Sequence, residues 1–458
     1  MDRACPLKNV FFSSLGCAKN LVDSDIMQGR LQQRGWMLSD DPAEADVIVV
    51  NTCSFIETAA DESIDTILEL ARFKTRGRCR RLVVAGCLPE RYRENIAEAL
   101  PEVDFFIGTG GFDQIVAAVE GRLADDTLKD GCLLPHPERN VFTAAEVTYR
   151  SGAHMSYLKV AEGCSKSCTY CIIPKLRGRL QSRPLKEIVA EAHHLVEAGA
   201  QELILVAQDT TGYGADLATG EDFSLLLEQV AAVSEKVWIR FLYGHPESMS
   251  TKVIRTIASH PNLCAYFDIP IQHASQRLLR RMGRHYTAED IRRRMEQIRL
   301  IIPEAVIRTT VIVGFPGETD QDYQFLVDFI ERMRFDHLGV FTYSDADDLP
   351  SHQLADHIPE EIAARRLDNI MRIQRQISSE INKKYIGKAV KVLIEESPEE
   401  GLYIGRTYFQ APEVDGLTFV QVQPTEPALK EGRFARVDIT QALEYDLIGK
   451  PVLTSCGG

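Results

Sequence analysis

The sequence predicts an α/β multidomain chain of three units: an N-terminal open parallel α/β sheet, a central partial (βα)6 barrel and a C-terminal small antiparallel β-barrel. Three observations lead there. Apolar runs of strand length alternate with helical stretches from Asn9 to about Gly121. Continuous apolar strands in such alternation belong to parallel sheets covered on both faces. Six further β–α repeats occupy Tyr157 to about Tyr385, too few to close an eight-stranded barrel. From Gly387 to about Val452 short strands are separated by turn-rich pieces (SPEEG, APEVDG, LKEG), the pattern of a small all-β module.

In the first unit the expected strands are Asn9–Gly16, Ala45–Thr52 and Arg81–Gly86, each followed by a helical stretch: Asp23–Arg34, Phe55–Phe73 and Pro89–Leu100. Residues 123–150 carry Asp, Pro and Gly without periodicity and read as a connector, which sets the units at 8–122, 151–386 and 387–454. The barrel strands are expected at Tyr157–Glu162, Glu202–Gln208, Val237–Tyr243, Ala265–Ile271, Val306–Val313 and Leu338–Tyr343. Helical patterns such as Pro184–Ala198, Ala288–Ile301 and Asp320–Arg334 lie between them, and a long one, Pro359–Tyr385, leads outward. The last unit is expected to hold strands at Lys388–Glu395, Leu402–Phe409, Leu417–Gln423 and Arg433–Thr440.

Composition narrows the class. Apolar residues at 45% and charged residues at 26% describe a folded globular chain of 458 residues. No apolar run approaches the roughly 18 residues of a membrane span, and Met1–Val10 lacks the long apolar core of a secretion signal. A cytoplasmic protein without a membrane partner is expected. The net charge of −14 disfavours sequence-blind binding to a phosphate backbone and is compatible with a basic partner. Eleven cysteines, an odd count, do not read as a disulfide framework in such a compartment.

Their spacing points to metal chemistry. Cys164, Cys168 and Cys171 share one loop directly after the first expected barrel strand, where such barrels carry their active sites. Thiolates hold iron–sulfur clusters, and three of them on a four-iron cluster leave one iron open. A structural zinc site normally takes four ligands, and no nearby Cys or His completes one. Cys17, Cys53 and Cys87 lie 36 and 34 positions apart, each at the C-terminal end of an expected parallel strand. That edge of an open α/β sheet is where ligands bind. Spacing alone leaves two readings, a second three-thiolate site or small buried apolar cysteines. Cys5, Cys79, Cys132, Cys264 and Cys456 show no common geometry, and Cys79 precedes its strand.

The cysteine loop, with Tyr170 before its last cysteine, resembles the signature of the radical S-adenosylmethionine superfamily. The wider stretch EGCSKSCTYCIIPKLRGRLQSRP (Glu162–Pro184), SLGCAKNLVDSD around Cys17 and NTCSFIETA around Cys53 are similar to the methylthiotransferases of that superfamily. The resemblance covers nearly the whole chain: an N-terminal methylthiotransferase domain, a TIM-like radical domain and an OB-like TRAM module. It implies two 4Fe–4S clusters, a radical one on Cys164, Cys168 and Cys171 and an auxiliary one on Cys17, Cys53 and Cys87. S-Adenosylmethionine is then a cosubstrate in two roles, as radical source and as methyl donor. VAQDTTGYG, FDIPIQHAS, IRTTVIVGFPGET and GRTYFQAPEVDG resemble the branch that modifies the β-carbon of an aspartate in the twelfth small-subunit ribosomal protein, free or in its subunit. The sister branch modifies an adenosine of transfer RNA. YSDADDLPSH (Tyr343–His352) departs from the family's acidic-Gly-Thr pattern. An electron donor and a sulfur source are implied as further partners.

Candidate contacts to S-adenosylmethionine are Gln208, Gln272 and Arg308, with Asp209, Gly314 and Gly317 nearby, although buried structural polar residues and a strand-to-helix turn account for them equally well. His245 and His273 read as satisfied rim residues, and no acid or base is assigned. Charge favours the protein substrate: Gly387–Gly458 holds seven Lys and Arg against eleven Asp and Glu, whereas an RNA-gripping module needs a basic stripe. A non-catalytic iron–sulfur sensor or carrier is the reading from another class, and a zinc scaffold a third.

Overall fold

The computed structural model describes residues 8–123, 130–139 and 154–452. The first sheet contains β1 (Lys8–Ser14), β2 (Trp36–Ser39), β3 (Val47–Thr52), β4 (Arg81–Gly86), β5 (Phe105–Ile107) and β6 (Cys132–Leu133) in the order β2-β1-β3-β4-β5-β6. Every pairing is parallel. VIVVNT of β3 is buried throughout, as expected of a strand covered on both faces. The three short strands β2, β5 and β6 were not expected, because two to four residues carry no readable period. Strand β6 extends the sheet into the segment read as connector, while 124–129 and 140–150 lie outside the described residues.

Two helices also differ from expectation. The first begins at Ala18, immediately after Cys17, and runs to Gln33. The stretch Pro89–Leu100 is two short helices, Cys87–Tyr92 and Asn95–Ala99, interrupted at Arg93, whose φ of 54° no α-helix accommodates.

The second unit is an arc of six parallel strands: β7 (Met155–Lys159), β10 (Glu202–Val206), β11 (Trp238–Phe241), β12 (Tyr266–Asp268), β13 (Val306–Val313) and β14 (His337–Thr342). A small hairpin of β8 (Ala161–Glu162) and β9 (Gln181–Ser182) follows β7. The arc runs as β7-β10-β11 and β12-β13-β14, joined by a parallel bridge between Ile239 and Leu263. Alternation sorts its side chains. Leu203, Leu205, Ile239, Phe241, Ile307 and Val311 pack beneath the helices, and Ile204, Val206, Trp238 and Tyr266 face the other way, onto the C-terminal module.

That module is a closed barrel of β15 (Ala389–Glu399), β16 (Leu402–Thr407), β17 (Thr418–Gln421), β18 (Phe434–Ala442) and β19 (Leu447–Pro451). Sequence reading missed β19. Four pairings are antiparallel and β17–β19 is parallel, so the barrel is not purely antiparallel. Its inner face meets the arc through buried charges. Glu202 accepts from Arg240 Nε at 2.7 Å and from Arg406 Nη2 at 2.7 Å, and Arg406 Nη2 also reaches Glu395 at 2.6 Å. Tyr266 donates to Asp415 at 2.6 Å and Arg240 to the Tyr408 carbonyl at 2.7 Å. Arg406 is therefore used inside the interface, and Lys391 lies on the Phe434 ring at 3.6 Å. Two of the module's seven cations thus serve packing.

Candidate active site

The turns that end β1, β3 and β4 carry Cys17, Cys53 and Cys87. Their approach is dictated by glycine. Gly16 has φ +88°, and a Cβ there would stand 2.5 Å from Cys53 Cβ and 2.9 Å from its Sγ. Only glycine adopts that backbone freely and leaves that space. Burial raises the Cys17 thiol, but Lys19, Arg177 and the backbone N–H groups of Asn20 and Lys19 outweigh it and hold it below its ordinary value. Burial pushes Cys53 up, and Cys87 up to about 12 against the pull of Arg177. Cys17 influences both of the others electrostatically, and Cys53 influences Cys87. The three thiols therefore share one locality.

Cys164, Cys168 and Cys171 lie on the loop after β8. The loop is pinned from several sides. The Cys164 N–H donates to the Gly178 carbonyl at 3.1 Å, and Thr169 donates to the Met282 carbonyl at 3.1 Å through N–H and to the Arg281 carbonyl at 2.8 Å through its hydroxyl. A Cβ at Gly283 would lie 2.5 Å from the Ser167 carbonyl. Tyr170 accepts two hydrogen bonds from Arg284, at 3.1 and 2.5 Å, and packs edge-on against Phe315. Burial raises Cys164, and pushes Cys171 up to about 12 with Cys168 and Cys164 adding to it.

Each triad is a set of three thiols. Among the described residues no three His, Cys, Asp or Glu side chains are grouped tightly enough to hold one ion. A four-iron cube receives its thiolates at separate corners. The donor chemistry fits iron–sulfur clusters.

The two sites are joined by residues that sequence reading did not single out. Arg177, 3% exposed, closes the short helix after Cys171 and crosses to the first sheet. It donates to Asp23 at 2.6 Å, to Asn20 at 2.6 Å, to Glu162 at 3.3 Å and to Cys87 Sγ at 3.4 Å. Lys159 is fully buried, pairing with Asp23 and, at 2.6 Å, with Glu162. Burial raises Glu162, but Lys159 and Arg177 together with hydrogen bonds from Lys159 and Gln208 carry it down to about 2. Arg91, four residues after Cys87, donates to the Ser54 carbonyl at 2.7 Å and grips Asp348 through two nitrogens at 2.8 and 3.1 Å. Lys175 reaches the same carboxylate at 3.0 Å. The segment that departs from the family pattern is thus a strap across both sites. Arg177 and Lys19 stood inside the stretches that carried the resemblance, but Asp23 and Asn20 lie over 150 positions from Arg177 and Tyr243 over 200 from Lys19, beyond any sequence period.

The remaining candidates divide. Gln208 follows β10 and donates to Glu162, while its buried Oε1 has no partner among the described residues. Gln272 follows β12 with φ +65° and exchanges backbone hydrogen bonds with Thr310 and Ile312. Arg308 turns instead to Asp268 at 3.5 Å and to Asp415 of the C-terminal module at 3.4 Å. Gly314 and Gly317 leave room for Ala363 and Arg281, whose atoms a Cβ would approach to 2.5 and 2.7 Å. His273 is satisfied by Glu318 and Ser275. His245 is not: its buried Nε2 has no partner among the described residues, and burial with the Arg284 and Lys166 charges drives its pKa down to about 2. Asp209 accepts from Thr211 and Gly212 at the same rim.

Comparison with known proteins follows the same division. Residues 9–108 match Uncharacterized protein family UPF0004, 158–330 the Radical SAM superfamily and 386–452 the TRAM domain. The ribosomal protein uS12 methylthiotransferase RimO of Desulfosudis oleivorans is 50% identical over 96% of this chain and 99% of its own. The chain belongs to the RimO family. The RimO of Clostridioides difficile is 46% identical over 96% of this chain and 98% of its own. Among solved structures, the radical S-adenosylmethionine methyltransferase TsrM of Kitasatospora setae, with cobalamin and a 4Fe–4S cluster bound, superposes with a TM-score of 0.57 at 15% identity, covering 86% of this chain and 80% of that one. This last likeness speaks to fold alone. No helix among the described residues of this RimO chain is long and apolar enough to cross a membrane.

Proposed function

We propose that this RimO chain is a methylthiotransferase that attaches a methylthio group to the β-carbon of an aspartate in ribosomal protein uS12 by radical S-adenosylmethionine chemistry. Full-length identity to the RimO relatives carries the reading. Cys164, Cys168 and Cys171 would hold one 4Fe–4S cluster, and Cys17, Cys53 and Cys87 a second. When bound, the clusters and S-adenosylmethionine supply the radical that opens an unactivated C–H bond and the sulfur that replaces the hydrogen, chemistry beyond any side chain.

The chain's own residues do the rest. Arg284, Thr169 and Gly283 fix the loop of the first triad, and Gly16 lets the second close. Arg177, Lys159, Asp23 and Glu162 hold the two units in register, so that a target side chain meets both. Such positioning is itself a large part of catalysis. Gln208, whose buried oxygen has no partner among the described residues, and Gln272, on the rim, remain candidate contacts to S-adenosylmethionine. Arg308 is a weaker one, since its charge is answered by Asp268 and Asp415. A cytoplasmic electron donor and a sulfur source complete the partner set.

Gly16→Ala is expected to displace Cys53 and to remove the iron held by the second triad while leaving the first loaded. Iron analysis of the purified variant checks it. The substrate is tested by offering anaerobically reconstituted protein both uS12 and unmodified transfer RNA with S-adenosylmethionine and dithionite. Mass spectrometry should find the methylthio increment on a uS12 aspartate. The acidic charge of the C-terminal module, two of whose cations are buried or packed, favours the basic protein over RNA. Modification of the RNA alone would overturn the substrate.

A further inference from the structure

We propose that Asp348 is a positioning residue that fixes the spacing of the two cysteine triads, an inference that rests on the two-cluster methylthiotransferase reading above. Asp348 lies on the strap that follows β14, where its carboxylate accepts from Arg91 through two nitrogens and from Lys175 through one. The two cations come from the two sites. Arg91 is in the helix Cys87–Tyr92, which opens on a cysteine of the second triad, and its Nη1 also holds the carbonyl of Ser54, next to Cys53. Lys175 is in the helix Ile173–Arg177, which starts two residues after Cys171. The next residues of the strap extend the contact. Leu349 packs with Cys87, Ile172 and Leu176. The Ser351 N–H donates at 3.0 Å to the carbonyl of Thr169, inside the loop of the first triad. This short piece of chain thus touches the surroundings of both triads.

Lys175 and Arg177 stand two positions apart on one short helix, a spacing that puts them on different faces. Arg177 is buried and ties the inner face to Asp23 and Asn20 of the first unit. Lys175 is half-exposed and ties the outer face, through Asp348, to Arg91 of the same unit. An amide at position 348 would lose both charge-assisted contacts and leave two cations facing each other across the junction. Only the inner tie would remain, and the helix after Cys171 would be free to pivot about it. The two halves of the reaction feel this differently. Cleavage of S-adenosylmethionine needs the first triad alone, whereas transfer needs sulfur at the second triad held at a fixed distance from the carbon attacked at the first. A misplacement of about 1 Å costs such a step on the order of a hundredfold. Freeing the strap therefore spares radical generation and damages transfer.

Wild-type, Asp348→Asn, Asp348→Glu and Lys175→Gln proteins are reconstituted anaerobically and their iron is measured. Pulsed electron paramagnetic resonance on the dithionite-reduced proteins reads the magnetic coupling between the two cluster spins, without substrate. 5′-Deoxyadenosine and methylthiolated uS12 are then counted in the same preparations. Asp348→Asn should keep the iron of the wild type and show a broadened coupling. Its ratio of 5′-deoxyadenosine to methylthio product should rise by about tenfold to a hundredfold, the span of a displacement of up to about 1 Å. Asp348→Glu, which keeps the charge, should recover part of the wild-type ratio. Lys175→Gln should move the ratio the same way by about twofold to fivefold, as for loss of a half-exposed ion pair. A role in stability alone would lower both products together and leave their ratio unchanged. An unchanged ratio or an unchanged coupling in iron-replete Asp348→Asn overturns the proposal. If Asp348→Asn loses iron, Lys175→Gln decides, and an unchanged ratio there overturns it equally. A wild type that holds a single cluster, or leaves uS12 unmodified, overturns the underlying reading and the proposal with it.

Discussion

The Cys53→Ala protein will consume S-adenosylmethionine and leave uS12 unmodified. Cys53 belongs to the first sheet, on the turn after β3, and among the described residues no hydrogen bond ties it to the Cys164–Cys171 loop. That loop is fixed by Thr169, Arg284 and Gly283 within the barrel unit. Loss of one thiol from the second triad should therefore spare the first. Reductive cleavage to methionine and 5′-deoxyadenosine, measured by chromatography, should stay within about threefold of wild type, whereas the methylthio product should fall by at least about a thousandfold, as for loss of a group that acts as part of a unit. Cys168→Ala should abolish both. Full transfer by Cys53→Ala would return Cys17, Cys53 and Cys87 to the reading of small buried apolar residues.

The second large effect concerns stability. Glu202 is fully buried between Arg240 and Arg406, which come from different units. Glu202→Ala leaves both guanidinium groups facing one another with less compensation, and breaking a buried pair in this way costs roughly 3–5 kcal/mol. Urea unfolding followed by circular dichroism checks the loss, and limited proteolysis should release the C-terminal module first. A change below about 1 kcal/mol, the scale of an exposed pair, would contradict it. The same network sets a pH dependence. Burial raises Glu202, but Arg240 and Arg406 outweigh it and hold its carboxyl below the ordinary range. A depressed folded pKa contributes stability that is complete above the unfolded value, near ~4.3, and is lost as pH falls below it. Attachment of the module should therefore be insensitive to pH between neutrality and about pH 5 and weaken in acid beyond that.

Much of the architecture was legible in the sequence because it is written in local patterns. VIVVNT and RLVVAG are continuous apolar strands, and six such runs in the middle unit appear as six parallel strands. What escaped was either too short or too distant. Strands β2, β5 and β6 have too few residues to show a period, and β19 is five residues with a glycine and a proline. Asp415 against Arg308, Asp23 against Arg177 and Asp348 against Arg91 lie in other units, so these ion pairs have no signature along the chain. The cysteines of each triad could be grouped by spacing and strand ends, but Gly16 and Lys19, which shape the space around them, become visible only once β1, β3 and the barrel rim are brought together. The Tyr343–His352 segment, a departure when compared as sequence, acquires a role through Asp348 and its two cationic partners.

One chain is expected to carry two separate three-thiol iron–sulfur sites facing a common interface. Iron analysis with Mössbauer spectroscopy, on anaerobically reconstituted wild type and on variants lacking either triad, tests it most directly. The wild type should hold about eight irons per chain and each variant about four, all in four-iron clusters. About four irons in the wild type, unchanged when Cys17, Cys53 and Cys87 are replaced by Ala, would contradict it.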